Sequence, residues 1–161
     1  MVTRLFFVLL SVSLLLGCVG YARLYPVRGP LAAQTPMPIV QVKLTGLIDS
    51  GSLSFHTPEG EIFKGQWTMV RPVKTAQGMA VGSNSAANDM PSAWDTVYGE
   101  DYYMSHVLGS TLYAESTIKG TRGTVVNVEF YGVRVSENHL ARFGVAKDSS
   151  GNIYKMAFPT F

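Results

Sequence analysis

The chain has 161 residues, with 13 Lys and Arg against 11 Asp and Glu and a formal net charge of +2. That length suits one domain with a sizeable core. Near-balanced charge, with no basic block or stripe, gives nucleic-acid binding no electrostatic support. Cys18 is the single cysteine, so disulfides within the chain and multi-cysteine metal sites are excluded.

Arg4 gives the start of the chain a positive charge, and Leu5 to Leu16 is apolar apart from Ser11 and Ser13. The run is well short of the roughly 20 residues that a membrane-crossing helix needs. A positive start, a short apolar centre and small residues after it read as a secretory signal peptide. Its end, Leu15-Leu16-Gly17-Cys18, resembles the lipobox of bacterial lipoproteins. The resemblance implies cleavage before Cys18, a diacylglycerol thioether on its thiol and acylation of the new amino terminus. The alternative is an ordinary signal peptide cut later, after Ala22, where Gly20 and Ala22 supply small residues. Two or more acyl chains hold a protein stably on a bilayer, where one does not. Val19, not Asp, follows Cys18; by resemblance to enteric sorting rules this implies the inner leaflet of the outer membrane, facing the periplasm. The expected organisation is a lipoprotein signal peptide over 1–17, a lipidated Cys and Pro-rich tether over 18–38, and a β-rich periplasmic domain over 39–161.

Pro26, Pro30, Pro36 and Pro38, with Gly29 among them, argue against helix and central strand over 19–38 and predict an extended tether. Its apolar part, 24–31, is expected to pack on the domain or on a partner. Residues 39–47 form the first good strand, Val40, Val42 and Leu44 alternating with Gln41, Lys43 and Thr45. Residues 52–56 continue with Leu53 and Phe55 on one face. Turn residues Thr57-Pro58-Glu59-Gly60 follow. Residues 61–70 return with Phe63, Gly65, Trp67 and Met69 on one face, Gly65 marking a bulge or a close backbone approach.

The small, polar stretch 77–87 reads as a mobile loop. Residues 92–99 read as a short helix capped by Ser92, with Asp95 three residues on and Gly99 at the end. Trp94 and Val97 or Tyr98 would face the sheet, and 100–109 fits a strand or a further helical turn. Strands are expected over 111–118, 124–131, 139–147 and 153–158. Residues 132–138 link the middle pair, and Asp148-Ser149-Ser150-Gly151-Asn152 is the clearest hairpin turn.

Two stretches, Leu24-Tyr25-Pro26-Val27-Arg28-Gly29-Pro30 and the spaced Ser50-Gly51, Pro58, Gly60-Glu61, Gly65 and Trp67, are similar to those of short Gram-negative envelope lipoproteins, as is the Gly-containing hairpin over 144–158. The resemblance covers most of the mature chain. It implies an address and a β fold, and no activity.

Few residues suggest chemistry. His56, His106 and His139 lie too far apart in sequence for a helical zinc motif, although the fold could bring them together with Asp101 or Glu137. Met104 and His106 near Tyr102 and Tyr103 form a thin case for soft-metal binding. Ser83 and Ser85 lack the Gly-x-Ser-x-Gly elbow of a nucleophile. Glu59 with Glu61, and Glu100 with Asp101, are acid pairs of the kind that turns leave solvated. The better lead is aromatic: Trp94, Tyr98, Tyr102, Tyr103 and Tyr113 serve either as core or as a candidate binding surface.

The sequence thus predicts a mainly β fold: an antiparallel curled sheet, small sandwich or barrel with one short helix. The expected function is a membrane-anchored, non-enzymatic binding or structural module with an envelope protein or glycan partner. No metal is expected, and no cofactor beyond the covalent lipid at Cys18. The alternative is a carrier for a small apolar ligand or lipid, marked by an internal cavity of several hundred Å³. An enzyme, the third reading, needs at least two of His56, His106, His139, Glu100 and Asp101 to converge in a cleft.

Overall fold

A computed structural model describes residues 19–46, 49–70, 73–74, 80–81, 89–137 and 139–159. The signal segment with Cys18 lies outside them, as does the loop expected over 77–87, Ala80 and Val81 apart.

The chain forms strands β1 (Val19–Arg28), β2 (Val40–Gly46), β3 (Ser50–His56), β4 (Ile62–Val70), the short pair β5 (Val73–Lys74) and β6 (Ala80–Val81), then β7 (Tyr113–Lys119), β8 (Val125–Ser136), β9 (His139–Asp148) and β10 (Ile153–Ala157). Eight of these close into an antiparallel barrel, ordered β1-β2-β3-β4-β7-β8-β9-β10 and back to β1. Each pairs with the next along the chain except across the β4–β7 insertion. Closure removes the unpaired edges that an open sheet exposes. Of the expected architectures, the barrel is the one formed.

Alternation explains which face turns inward. Val40 and Val42, Leu53 and Phe55, Phe63 and Trp67, and Val126 and Val128 are buried in the barrel core. Between them Gln41, Lys43, Lys64, Gln66, Thr68, Thr117 and Lys119 face solvent. A membrane-spanning barrel has the opposite arrangement, apolar outside. Burying one such Leu, Val or Phe contributes about 1.5–3 kcal/mol. Gly65 is the close approach the sequence suggests: a Cβ there would lie 2.7 Å from Ile118 Cγ1 on the facing strand.

The first part of the segment expected as an extended tether is strand β1, and its apolar part packs on the domain. Ala22, Leu24 and Pro26 point inward and are buried. Pro26 is tolerated because the pairing with β2 ends at Leu24–Val40, and the pairing with β10 shifts register between Pro26 and Arg28. A bulge beyond the end of one neighbour needs no donor from proline. A single 3-10 turn, Pro30–Ala33, then folds Leu31 into the core.

The barrel has two ends. Call proximal the end where β1 begins, and distal the end where it stops. In the proximal half of the interior Trp67 packs against Phe130 at 5.6 Å and Phe130 against Phe158 at 5.9 Å.

The β4–β7 insertion carries helix α1 (Met90–Tyr98) and a π-helical turn, Tyr103–Val107. The helix starts two residues earlier than expected. Asp89 at the N-cap position has left-handed backbone, and Pro91 lies in the first turn. Asp95 does not serve a capping box; its Oδ1 accepts a hydrogen bond from the Tyr103 backbone N–H at 3.0 Å. The insertion packs on the outside of the barrel, where Tyr113, Tyr131, Val145 and Ile153 form a second buried cluster with Met90, Ala93 and Trp94.

Candidate functional site

The five aromatic residues singled out by sequence meet at this second cluster. Trp94, Tyr103 and Tyr113 are buried, while Tyr98 and Tyr102 are half-buried. Trp94 stacks on Tyr98 and Tyr102, with centroids 5.5 and 6.1 Å away. Its Nε1 donates to Glu129 Oε2 at 2.7 Å. Glu129 lies on the outer face of β8 and is covered by the insertion. Only the edge of the cluster is open. There exposed His106 stacks on Tyr102 at 4.5 Å, and Met104 beside it is 64% exposed.

Three phenols are held in their neutral form. The Tyr98 hydroxyl is pushed up to about 12 by burial, beside its hydrogen bonds with the Gly144 backbone. Tyr131 is raised by burial and by its 2.7 Å hydrogen bond with Tyr102. Tyr154 is raised by burial and by donating to Asp148 Oδ2 at 2.7 Å. In each case the folded value lies above the free phenol's, so the unfolded chain loses its proton first. Stability is therefore complete below about pH 10 and falls as pH rises through the folded values, by at most about 1.4 kcal/mol per pH unit for each buried phenol. Urea titrations between about pH 9 and 11.5 should show this decline, with a shallower slope in Tyr98→Phe.

The candidate acid–base residues are spread over three places. His56 ends β3 at the distal rim, whereas His139 opens β9 at the proximal rim. Glu100 and Asp101 are exposed in the insertion. Among the described residues no three His, Cys, Asp or Glu side chains group as metal ligands.

The distal end holds what sequence reasoning missed. Four connections meet there: one buried carboxylate, Glu61, ties two of them together, and a second, Asp148, orders the hairpin that holds a third through Asn152. Glu61 accepts from the Arg122 and Thr124 backbone N–H groups at 3.0 and 3.3 Å and from Thr124 Oγ1 at 2.8 Å, joining the β3–β4 turn to the β7–β8 turn. Asp148 accepts from the Ser150 and Asn152 backbone and from Asn152 Nδ2, all at 2.9 Å, besides the Tyr154 hydroxyl. Asn152 Oδ1 accepts from the Leu31 N–H at 2.8 Å, which fastens the 3-10 turn to the β9–β10 hairpin. Arg122 Nη2 donates to the Glu59 carbonyl at 2.7 Å.

These ties hold open a cavity of about 290 Å³ at the distal mouth. Its walls are apolar: Leu24, Leu31, Val40, Phe55, Phe63 and Val126. Phe55 and Phe63 stack face to face at 4.6 Å. Its polar lining includes the carboxylates Glu59, Glu61 and Asp148 and one cation, Arg122. None of His56, His106, Glu100 and Asp101 lines it. In sequence, Glu61 and Asp148 look like ordinary turn residues; the partners of Glu61 come from a turn more than 60 residues away. No family model, curated protein or solved structure matches the chain.

Proposed function

We propose that the protein is a lipid-anchored barrel of the bacterial envelope, held by Cys18 and facing the periplasm, that binds a small amphiphile in its distal mouth. The observation that carries the reading is the cavity of about 290 Å³, apolar at its walls and tied rigidly at its rim. An eight-stranded barrel is just wide enough to fill with side chains or to hold one small ligand. Here the distal half supports the second arrangement. At about 30 Å³ per water-sized group, the space takes on the order of ten heavy atoms. A rim already fixed by hydrogen bonds loses little freedom when a ligand enters.

Charge sets the chemistry of the head group. Three carboxylates against one guanidinium disfavour an anion and favour a cationic or hydrogen-bond-donating head. Hexylammonium, hexanol and hexanoate share one tail and differ in head charge. Titrated into isotopically labelled protein, hexylammonium should give saturable shifts at Leu31, Phe55, Val126 and Tyr154, in about the millimolar range expected for a probe of this size. Hexanol should bind more weakly, and hexanoate least. Absence of saturation with all three would remove the ligand reading. For the anchor, labelled palmitate should enter the wild type and not Cys18→Ser; equal labelling of the two contradicts it.

A second reading, docking of an envelope protein or glycan, draws on the exposed edge of the aromatic cluster. His106 stacked on Tyr102 and the exposed Met104 give such a partner a small aromatic platform.

A further inference from the structure

The barrel wall is uneven at its proximal end. β8 has 12 residues and β9 has 10, against 7 in β7 and 5 in β10. Strand pairing of β8 with β7 ends at Tyr131–Tyr113, and that of β9 with β10 ends at Gly144–Met156. Past Gly132, whose N–H still reaches the Leu112 carbonyl, β8 and β9 pair, among the described residues, only with each other, from Val133–Ala141 to Ser136–His139. The result is a two-stranded arm standing off the rim.

Among the described residues this arm has no core of its own, and a lone hairpin in water is marginally stable. It nevertheless presents Val133 at 43%, Val135 at 65% and Leu140 at 38% exposure. Two exposed arginines, Arg134 and Arg142, lie among them. Apolar side chains interspersed with cations suit the boundary between acyl chains and anionic head groups.

The position of the arm names its occupant. β8 runs toward the end where β1 begins, and Val19, the first residue of β1, directly follows Cys18. With no spacer between the two, an acylated Cys18 holds the proximal rim within a few Å of the head groups, at about 3.5 Å per residue. The arm projects from that same rim, by about 3.3 Å for each strand residue. Val19 and Tyr21, 52% and 49% exposed, belong to the rim as well. We infer that the β8–β9 arm, through Val133, Val135 and Leu140 with Arg134 and Arg142, is a second membrane contact that inserts into the phospholipid surface. It fixes how the barrel stands and aims the distal mouth away from the bilayer. The inference rests on the lipid-anchor reading.

The test uses the full, lipidated chain carrying Val135→Cys, in vesicles of phosphatidylethanolamine and phosphatidylglycerol. Cys18 is blocked by its lipid, so an environment-sensitive fluorophore reports position 135 alone. A second protein with Lys119→Cys reports the distal end. Both positions are exposed, so neither change touches the core. Position 135 should shift to the blue and lose most of its emission to spin-labelled phospholipid, while position 119 does neither. If the protein sediments with vesicles and position 135 still reads as water, the arm inference is overturned and the anchor stands. If position 135 shifts without lipid quenching and crosslinks to a second copy, the arm is a protein interface and the inference fails. If Cys18 itself takes the fluorophore and the protein stays in the supernatant, the anchor reading fails and takes the arm's role with it.

Discussion

Asp148→Ala is expected to destabilise the protein by about 3–5 kcal/mol, because it leaves several buried hydrogen-bond donors without their acceptor. The carboxylate has four donors around it, from Ser150, Asn152 (twice) and Tyr154. Ser150 is exposed and can turn to water, but Asn152 and Tyr154 are each only 4% exposed. Each donor left buried without an acceptor costs about 1–3 kcal/mol. The damage should spread: once Asn152 loosens, Leu31 loses the acceptor that holds the 3-10 turn in place. Asp148→Asn keeps one carbonyl acceptor and should lose clearly less. Urea midpoints of the three proteins measure the order, and an alanine variant within about 0.5 kcal/mol of wild type would show that the distal rim does not depend on this carboxylate.

The second large effect lies on the opposite side of the wall. Trp94→Ala removes a side chain with no solvent exposure and should cost about 3–5 kcal/mol. It also strips Glu129 of the indole donor. Trp94→Phe retains a smaller ring to stack on Tyr98 and Tyr102 and loses that donor and part of the packing, at a cost of about 1–3 kcal/mol. Because α1 packs on the outside of a closed barrel, the two parts should come apart in sequence. Amide exchange should accelerate first over 90–107 and in the outward residues of β9, while β2, β3 and β4 keep their protection. Uniform loss of protection throughout the barrel would mean that the insertion and the barrel fold as one unit.

Sequence carried the fold well where each strand has one wet and one dry face. The alternation through Val40, Val42, Leu53, Phe55, Phe63 and Trp67 predicts β2, β3 and β4 with their inward residues. The same holds for Val126 and Val128 in β8 and for the turn from Asp148 to Asn152. It failed where a neighbour changes the rule. Tyr113, Tyr131 and Val145 point outward yet are buried, because the insertion covers them; that blurs the period-2 pattern of β7 to β9. β1 was hidden by Pro26, whose tolerance depends on where β2 ends and how β10 slips. The proximal part of β8, expected as a linker over 132–138, is a strand because β9 supplies its partners there among the described residues. The distal cavity was illegible for a related reason. Its carboxylates come from the β3–β4 turn and the end of β9, and only barrel closure brings them to one rim.

Both ends of the barrel can be read at once by hydrogen–deuterium exchange on the lipidated protein in phosphatidylethanolamine–phosphatidylglycerol vesicles, with and without hexylammonium. Vesicles should slow exchange over 132–136 and 139–142 and leave the distal turns unchanged, whereas hexylammonium should slow exchange at the turns over 57–61, 120–124 and 148–152 alone. Protection of the distal turns by vesicles, with no response there to hexylammonium, would contradict a barrel that meets the membrane with one rim and its ligand with the other.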